Sequence, residues 1–304
     1  MMAALRRARE RRQRRRQQQA LAAARCQQLA GQAQTRSQRG TGNSEPHELI
    51  VSLTSFPGRI EQLHLCIESL LSQSLPPDRV LLWLSLQNFP RRQLPHSLTA
   101  LCRWGLDIQF RDGDLGPYKK IVYALADYPA ALVLTVDDDM LYPPDLVAPL
   151  YRAWQARPTV IHCHRGHDMR TDSAGMPLPY EHWQLGGGSS EPSLRVFPTG
   201  VGGVLYFPGA LHPMATDVTQ FQRLCPRADD VWLKAMSLLQ GTPCAVVPGE
   251  QHWKERFLTI PGSQQRSLKR ENWSRRNGND EKLAAVFGAL PLAARLRAGG
   301  WVSP

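Results

Sequence analysis

The 304-residue chain has no apolar run of the roughly 18 residues that a membrane-crossing helix needs, and its start lacks the apolar block of a secretory signal. Neither a spanning helix nor an export leader is expected. Cysteine is sparse: Cys26, Cys66, Cys102, Cys163, Cys225 and Cys244 are the only six, and no two share a C-x-x-C spacing. That spacing gives no structural zinc knuckle. A chain this long can build a core without disulfide staples, so reduced thiols in a cytoplasmic protein are expected. Acids are nearly missing from residues 1–47, where only Glu10 and Glu45 stand against eleven arginines. That segment therefore carries about +9 of the chain's +11, and the rest is close to neutral. The basic balance belongs to one end and does not mark the whole chain as a nucleic-acid binder.

Residues 1–47 read as a separate Arg/Gln/Ala-rich arm, disordered or helical, because Leu5, Leu21 and Leu29 do not make a core-facing stripe. Its charge suits peripheral contact with an anionic membrane, at ~1 kcal/mol per basic residue near the lipid. No specific nucleic acid is expected. From residue 48 the pattern becomes globular. HELIVSLTSF reads as a buried strand, and Leu63, Cys66, Ile67, Leu70 and Leu71 fall on one face of a helix. RVLLWLS, GLDIQF, ALVLTV and TVIHCH are further strands, separated by helical stretches around Leu94–Leu101, GPYKKIVYALADY and PPDLVAPLYRAWQA. In the last of these, the prolines are placed in the helix's first turn, which tolerates them. This alternation predicts an α/β fold with a mostly parallel sheet flanked by helices in a single domain, over residues 48–285, with 286–304 as a tail. ADDVWLKAMSLLQG reads as a later helix with acids in its first turn and Gly241 at its end.

In such sheets, ligands bind at the carboxyl ends of strands. LTVDDDM delivers three acids, Asp137, Asp138 and Asp139, to such an end. If the chain stays extended, period-two alternation puts Asp137 and Asp139 on one side, converging on a hard cation such as Mg²⁺ or Mn²⁺. Asp138 then points the other way, toward a ribose hydroxyl or a helix N-terminus. Simple capping of the following helix needs one acid, not three. His162 and His164 could share one side of a strand, but no second Cys/His pair lies nearby, so core packing is the expected role.

The ordered segments LTSFPGRI, CIESLLSQSLPPDRVLLWLS, LGPYKKIVYAL, LTVDDDMLYPPDL, TGVGGVLYFPG, ADDVWLKAMSL and GNDEKL resemble GT-A-fold glycosyltransferases, in particular bacterial polysaccharide and lipopolysaccharide enzymes. The resemblance implies a Rossmann-like GT-A domain. It also implies a metal-dependent transferase that moves a sugar from a nucleotide-diphosphate donor to a hydroxyl of a glycan or glycolipid. By position, Thr54, Ser55, Pro57 and Arg59 would contact the nucleotide, with Asp137 and Asp138. Asp139 and Asp137 would hold the divalent metal, with His252 as a third ligand. Asp229 and Asp230 would form the acidic pair near the acceptor, Asp230 acting as general base and held ionised by the helix dipole. Arg165 and His167 would line the cleft toward the sugar and acceptor. Lys119 and Lys120 could add point charge at the phosphates, against the plainer reading of a solvated helix face. Gly200, Gly202 and Gly203 would let backbone approach a sugar, against simple turn geometry. The resemblance also implies a cytoplasmic enzyme, with residues 1–47 able to rest on the inner face of the plasma membrane.

Two other readings compete with this one. Phosphatases of the haloacid-dehalogenase type also carry D-x-D after a strand, but on the first strand and followed by Thr or Val. Here Leu141 holds that place and the strand is mid-chain. A nucleic-acid-binding protein led by the arginines explains residues 1–47 but not the acids.

Overall fold

The computed structural model describes residues 2–249, 251, 253–263 and 278–297. The first helix, α1 (Met2–Thr35), precedes a regular alternation: β1 (Leu49–Thr54), α2 (Leu63–Leu70), β2 (Arg79–Ser85), α3 (His96–Thr99), β3 (Leu106–Arg111), α4 (Lys119–Asp127) and β4 (Leu132–Thr135). A two-residue strand β5 (Met140–Leu141), α5 (Val147–Ala156) and β6 (Ile161–Cys163) follow. Beyond them come the hairpin partners β7 (Gly166–Asp168) and β8 (Val196–Pro198), then β9 (Val204–Tyr206), α6 (Val218–Leu224), α7 (Asp229–Gln240), β10 (Cys244–Val246), α8 (Trp253–Arg256) and β11 (Leu258–Thr259). Two more helices, Asn279–Ala289 and Leu292–Arg297, close the described chain.

Seven strands form the central sheet in the order β10-β6-β9-β4-β1-β2-β3. β4, β1, β2 and β3 run parallel, β10 is parallel to β6, and only β9 is antiparallel to its neighbours β4 and β6. This is the mostly parallel α/β architecture expected from the alternation. The central strands are buried on both faces, as near-continuous apolar runs require. Ile50, Leu81 and Trp83 face the core under α4, α6 and α7, while Val51, Leu53, Leu82 and Leu84 face the core under α2 and α5. All five apolar positions expected on the first helix of the domain are buried.

The N-terminal segment departs from the expectation of a separate arm. The second half of α1 packs on α2, β5, β11 and α8. Ala22 and Leu29 enter the core there, Leu29 with no exposure at all. One buried leucine contributes roughly 1.5–3 kcal/mol, so a single residue can hold a helix that lacks a continuous stripe. The link between α1 and β1 is also tied down. Arg36 makes a 2.8 Å ion pair with buried Glu68, Gly40 N donates to Trp104 O at 2.9 Å, and Gly42 N donates to Pro77 O at 2.8 Å. The described arginines between residues 6 and 16 remain exposed. No described helix is long and apolar enough to cross a membrane.

α5 begins at Val147, so Pro143 and Pro144 lie in the connection before it and not in its first turn. Buried Gln73 explains that connection. Its amide donates to Pro143 O at 2.8 Å, and its carbonyl oxygen accepts from Leu146 N and Val147 N at 3.1 and 3.2 Å. One side chain thus supplies a cap for α5 and fastens the acid-bearing connection to α2.

Candidate active site

β4 ends at Thr135, and Asp137–Asp139 form the tight connection into β5. Period-two alternation therefore does not govern the acids, and the expected pairing of Asp137 with Asp139 is corrected. Asp138 and Asp139 share one guanidinium. Arg59 Nη1 bonds Asp138 Oδ1, and Arg59 Nη2 stands 3.0 Å from Asp139 Oδ2. Ser55 Oγ donates to the other Asp138 oxygen at 2.6 Å. Burial raises the Asp138 pKa, and Arg59 and Ser55 only partly oppose it. Arg59 also lies over the Phe56 ring, 5.5 Å from its centroid.

Asp137 turns the other way. Its Oδ1 meets Lys120 Nζ at 2.8 Å, and the same ammonium reaches Asp229 Oδ2 at 2.9 Å. Burial alone would lower the Lys120 pKa, but Asp137, Asp229 and Asp230 outweigh it and hold the lysine charged. The split is fixed by Tyr142, which is fully buried. Its hydroxyl accepts from Asp137 N at 2.8 Å and donates to Asp137 O at 3.3 Å. Tyr142 N in turn donates to Ser69 Oγ at 3.0 Å. Asp229 Oδ2 is close to Lys120 yet has no well-directed hydrogen bond, which leaves a buried carboxylate oxygen incompletely satisfied.

Asp230 sits beside this group at the start of α7. Gly200 N donates to both its oxygens, at 3.1 and 3.3 Å. Its pKa is raised from 3.8 to about 7, first by burial and then by Asp229 and Asp137, with Lys120 and Gly200 N opposing. The helix dipole does not hold it ionised, because desolvation and two neighbouring carboxylates are the larger effects. Gly200 is where the group converges. A Cβ there would lie 2.9 Å from Asp137 Oδ1, 3.2 Å from Lys120 Nζ and 3.3 Å from Asp230 Oδ1. At Gly202 a Cβ would meet Arg165 Cβ at 2.8 Å, and Gly203 has φ +78°. The glycine cluster is thus needed for close approach as well as for turning.

Several expected site residues lie elsewhere. Lys119 is buried but turns away to Asp114, so only Lys120 joins the acids. His167 is buried and does not line a cleft. Its Nδ1 accepts from Gly186 N at 2.8 Å, its ring packs near Tyr180 and Phe197, and burial with nearby Arg165 lowers its pKa to about 3. It holds the loop after β7 in place as a neutral imidazole. Thr54 Oγ1 donates to Trp83 O at 2.7 Å, and Pro57 is exposed beside Arg59. Arg165 donates from Nη1 to Thr199 Oγ1 at 2.9 Å and lies over the Trp253 ring, 4.4 Å from its centroid. His252, the expected third metal ligand, lies outside the described residues, as do residues 298–304 of the expected tail. His162 and His164 are core residues, with His164 Nε2 bonded to Leu146 O at 2.8 Å.

Among the described residues, no group of three or more His, Cys, Asp or Glu side chains is arranged to hold a metal. Arg59 and Lys120 occupy the carboxylates that would otherwise converge. The donor chemistry still fits a hard divalent ion. Five carboxylates (Asp137, Asp138, Asp139, Asp229, Asp230) gather around two cations, Arg59 and Lys120, Asp137 keeps a third of its side-chain surface exposed, and a buried oxygen of Asp229 is unsatisfied. Such ions take one or two carboxylates plus phosphate oxygens and water.

Ser69, Gln73 and Tyr142 were not singled out from the sequence. Ser69 follows Cys66 at helical spacing on the buried face of α2 and Gln73 continues that spacing just past the helix end, so a polar residue in an apolar register is the signal that would have found them. Tyr180 was missed too. Its N donates to Asp280 Oδ1 at 2.7 Å, which gives the late GNDEKL segment a loop-pinning role.

No protein-family model and no curated protein matches the chain. Among solved structures, it is similar to a mannosyltransferase from Pyrobaculum calidifontis in complex with GDP-Man and Mn²⁺. The identity is 14%, the coverage 92% of this chain and 87% of that one, and the TM-score 0.40. It is also similar to 2-C-methyl-D-erythritol 4-phosphate cytidylyltransferase from Thermus thermophilus, at 20% identity, 72% and 95% coverage and TM-score 0.41. A third is S. aureus TarS in complex with UDP, at 12% identity, 66% and 58% coverage and TM-score 0.43.

Proposed function

We propose that this chain is a metal-dependent glycosyltransferase that moves a sugar from a nucleotide-diphosphate donor to a hydroxyl of a glycan or glycolipid, as in cell-surface polysaccharide assembly. The observation that carries the reading is Asp230, a carboxylate whose pKa is raised to about 7 and which Gly200 N holds beside Asp137, Asp229 and Lys120. A general base works best with its pKa near the working pH, and such a base contributes roughly 10²–10⁴-fold. A sugar hydroxyl needs such a base when it attacks.

In this reading Asp230 takes the acceptor proton, Gly200 N orients its carboxylate, and Lys120 offsets the standing charge of Asp229 and Asp137. Ser55, Arg59 and Asp138 bind the nucleoside end of the donor, with Thr54 and Pro57 shaping the entrance. Asp139 or Asp137, with donor phosphate oxygens and water, would hold Mn²⁺ or Mg²⁺, which when bound supplies Lewis-acid stabilisation of the leaving diphosphate. The exposed arginines at the start of α1 would rest on an anionic membrane surface. They point all round the helix with no apolar face, so the contact would be electrostatic and salt-sensitive.

The experiment is a screen of UDP- and GDP-sugars with Mn²⁺ or Mg²⁺, reading donor binding and hydrolysis in the full chain and in Asp139→Ala. Metal-dependent turnover that Asp139→Ala abolishes is the expected result. Turnover unchanged in that variant sinks the assignment.

A further inference from the structure

Of the cations around the acid cluster, Arg165 stands apart. Arg59 is paired with Asp138 and Asp139, and Lys120 with Asp137 and Asp229. Among the described residues Arg165 forms no ion pair. Its Nη1 donates to the neutral Thr199 hydroxyl, and its Nε is buried with no hydrogen-bond partner. Burial lowers its pKa, and Tyr180 and Asp230 oppose this only in part. The group is nonetheless rigidly placed. Trp253 stacks on it, and Thr199 both accepts from Nη1 and donates from N to Arg165 O at 3.0 Å. Gly202 lets the backbone of Arg165 come close, since a Cβ there would lie 2.8 Å from Arg165 Cβ. A planar, fixed fork with unused N–H groups matches a carboxylate or a phosphate.

Sheet order tells which substrate would bring that anion. Arg59 follows β1 and Arg165 follows β6, on opposite sides of β4 and its acids. Ser55 and Arg59 lie on the β1 side, whereas Arg165 lies on the Asp230 side, where the Asp230 carboxylate partly offsets the effect of its burial. We propose that Arg165 and Trp253 form a subsite for an anionic sugar on the acceptor, one bearing a carboxylate or a phosphate. Arg165 would form a paired hydrogen bond with the anion and Trp253 would fix the plane of the fork. This deepens the glycosyltransferase reading and rests on it for the word acceptor, but the anion site itself stands on the geometry of Arg165.

The test compares binding of methyl β-D-glucuronide, glucose 6-phosphate and methyl β-D-glucoside to the full chain by saturation-transfer NMR. Nucleotide binding is measured separately with Mn²⁺ and UDP or GDP. The two anionic sugars are expected to bind at least about 10-fold more tightly than the neutral one, the worth of one charge-assisted pair. Arg165→Gln should erase that preference, and Arg165→Lys, which keeps the charge without the fork, should keep part of it. Thermal melting of both variants shows that they are folded. Equal affinity for all three sugars in the wild type, or a preference that survives in Arg165→Gln, overturns the subsite. Displacement of the glucuronide by UDP or GDP would assign the anion to the donor and overturn the acceptor assignment. Absence of nucleotide binding would count against the glycosyltransferase reading alone, because the sugar preference is read without nucleotide.

Discussion

Replacing Asp230 with Asn should make the protein more stable and less active, and more so as the pH rises. An ordinary aspartate, as in the unfolded chain, ionises near 3.8, while Asp230 in the fold holds its proton to about 7. Between these values the unfolded state loses the proton first, so folding is progressively penalised as pH rises through that window and the penalty is constant above it. At ~1.36 kcal/mol per pKa unit, the penalty reaches about 4 kcal/mol at about pH 8 and under 2 kcal/mol at about pH 5. Asparagine never ionises, and its carbonyl oxygen can still accept from Gly200 N. The stability advantage of Asp230→Asn should therefore grow by about 2–3 kcal/mol between about pH 5 and about pH 8. For a chain of this size that is a relative Tm gain of about 5 °C. Calorimetry of both proteins at the two pH values reads it directly, with nucleotide-sugar turnover measured alongside. A constant Tm difference at both pH values, or a variant less stable at about pH 8, would refute the claim that burial and neighbouring acids hold Asp230 near neutrality. In the wild type, kcat/KM should rise with pH to a plateau above about 7, since the base must be unprotonated.

Lys120→Met should destabilise the fold by roughly 3–5 kcal/mol, because it leaves Asp137 and Asp229 facing each other without their shared cation. Urea titration checks this, and a loss under ~1 kcal/mol counts against the pairing. Gly200→Ala should cut donor turnover at least about 10-fold, as misplaced reacting groups do, while the Tm stays nearly unchanged. The added Cβ would press on movable ends of Asp137, Lys120 and Asp230 and not on backbone. Arg36→Ala should cost roughly 3–5 kcal/mol by leaving Glu68 unpaired, which equilibrium unfolding reads. A neutral effect would restore residues 1–47 as a detachable arm. Deleting residues 1–16 should leave turnover in solution intact and abolish binding to anionic vesicles in a flotation assay.

The fold was largely legible because strands buried on both faces and helices buried on one leave different periods in the sequence. The run Leu63, Cys66, Ile67, Leu70, Leu71 and the Gly241 stop are cases where local pattern and tertiary packing agree. Docking of α1 was not legible, since it depends on two residues, Ala22 and Leu29, seated in a surface that the rest of the chain builds. The acid triplet was legible as a place but not as a geometry. A strand that stops one residue earlier than its apolar run suggests, followed by a turn, abolishes the alternation argument, and only the Tyr142 and Lys120 contacts reveal which way Asp137 turns. Lys119 and Lys120 look alike in sequence, and a single helical step of about 100° sends them to different partners.

The docking of α1 at Ala22 also sets how far its charge reaches. At about 1.5 Å per residue, Arg16 lies about 9 Å and Arg6 about 24 Å farther along the helix axis than Ala22. Both distances exceed the ~8 Å screening length at physiological ionic strength. The helix therefore works as an insulated standoff. The arginine cluster thus stands more than one screening length from the point where the helix docks, and changing it should leave that docking contact undisturbed.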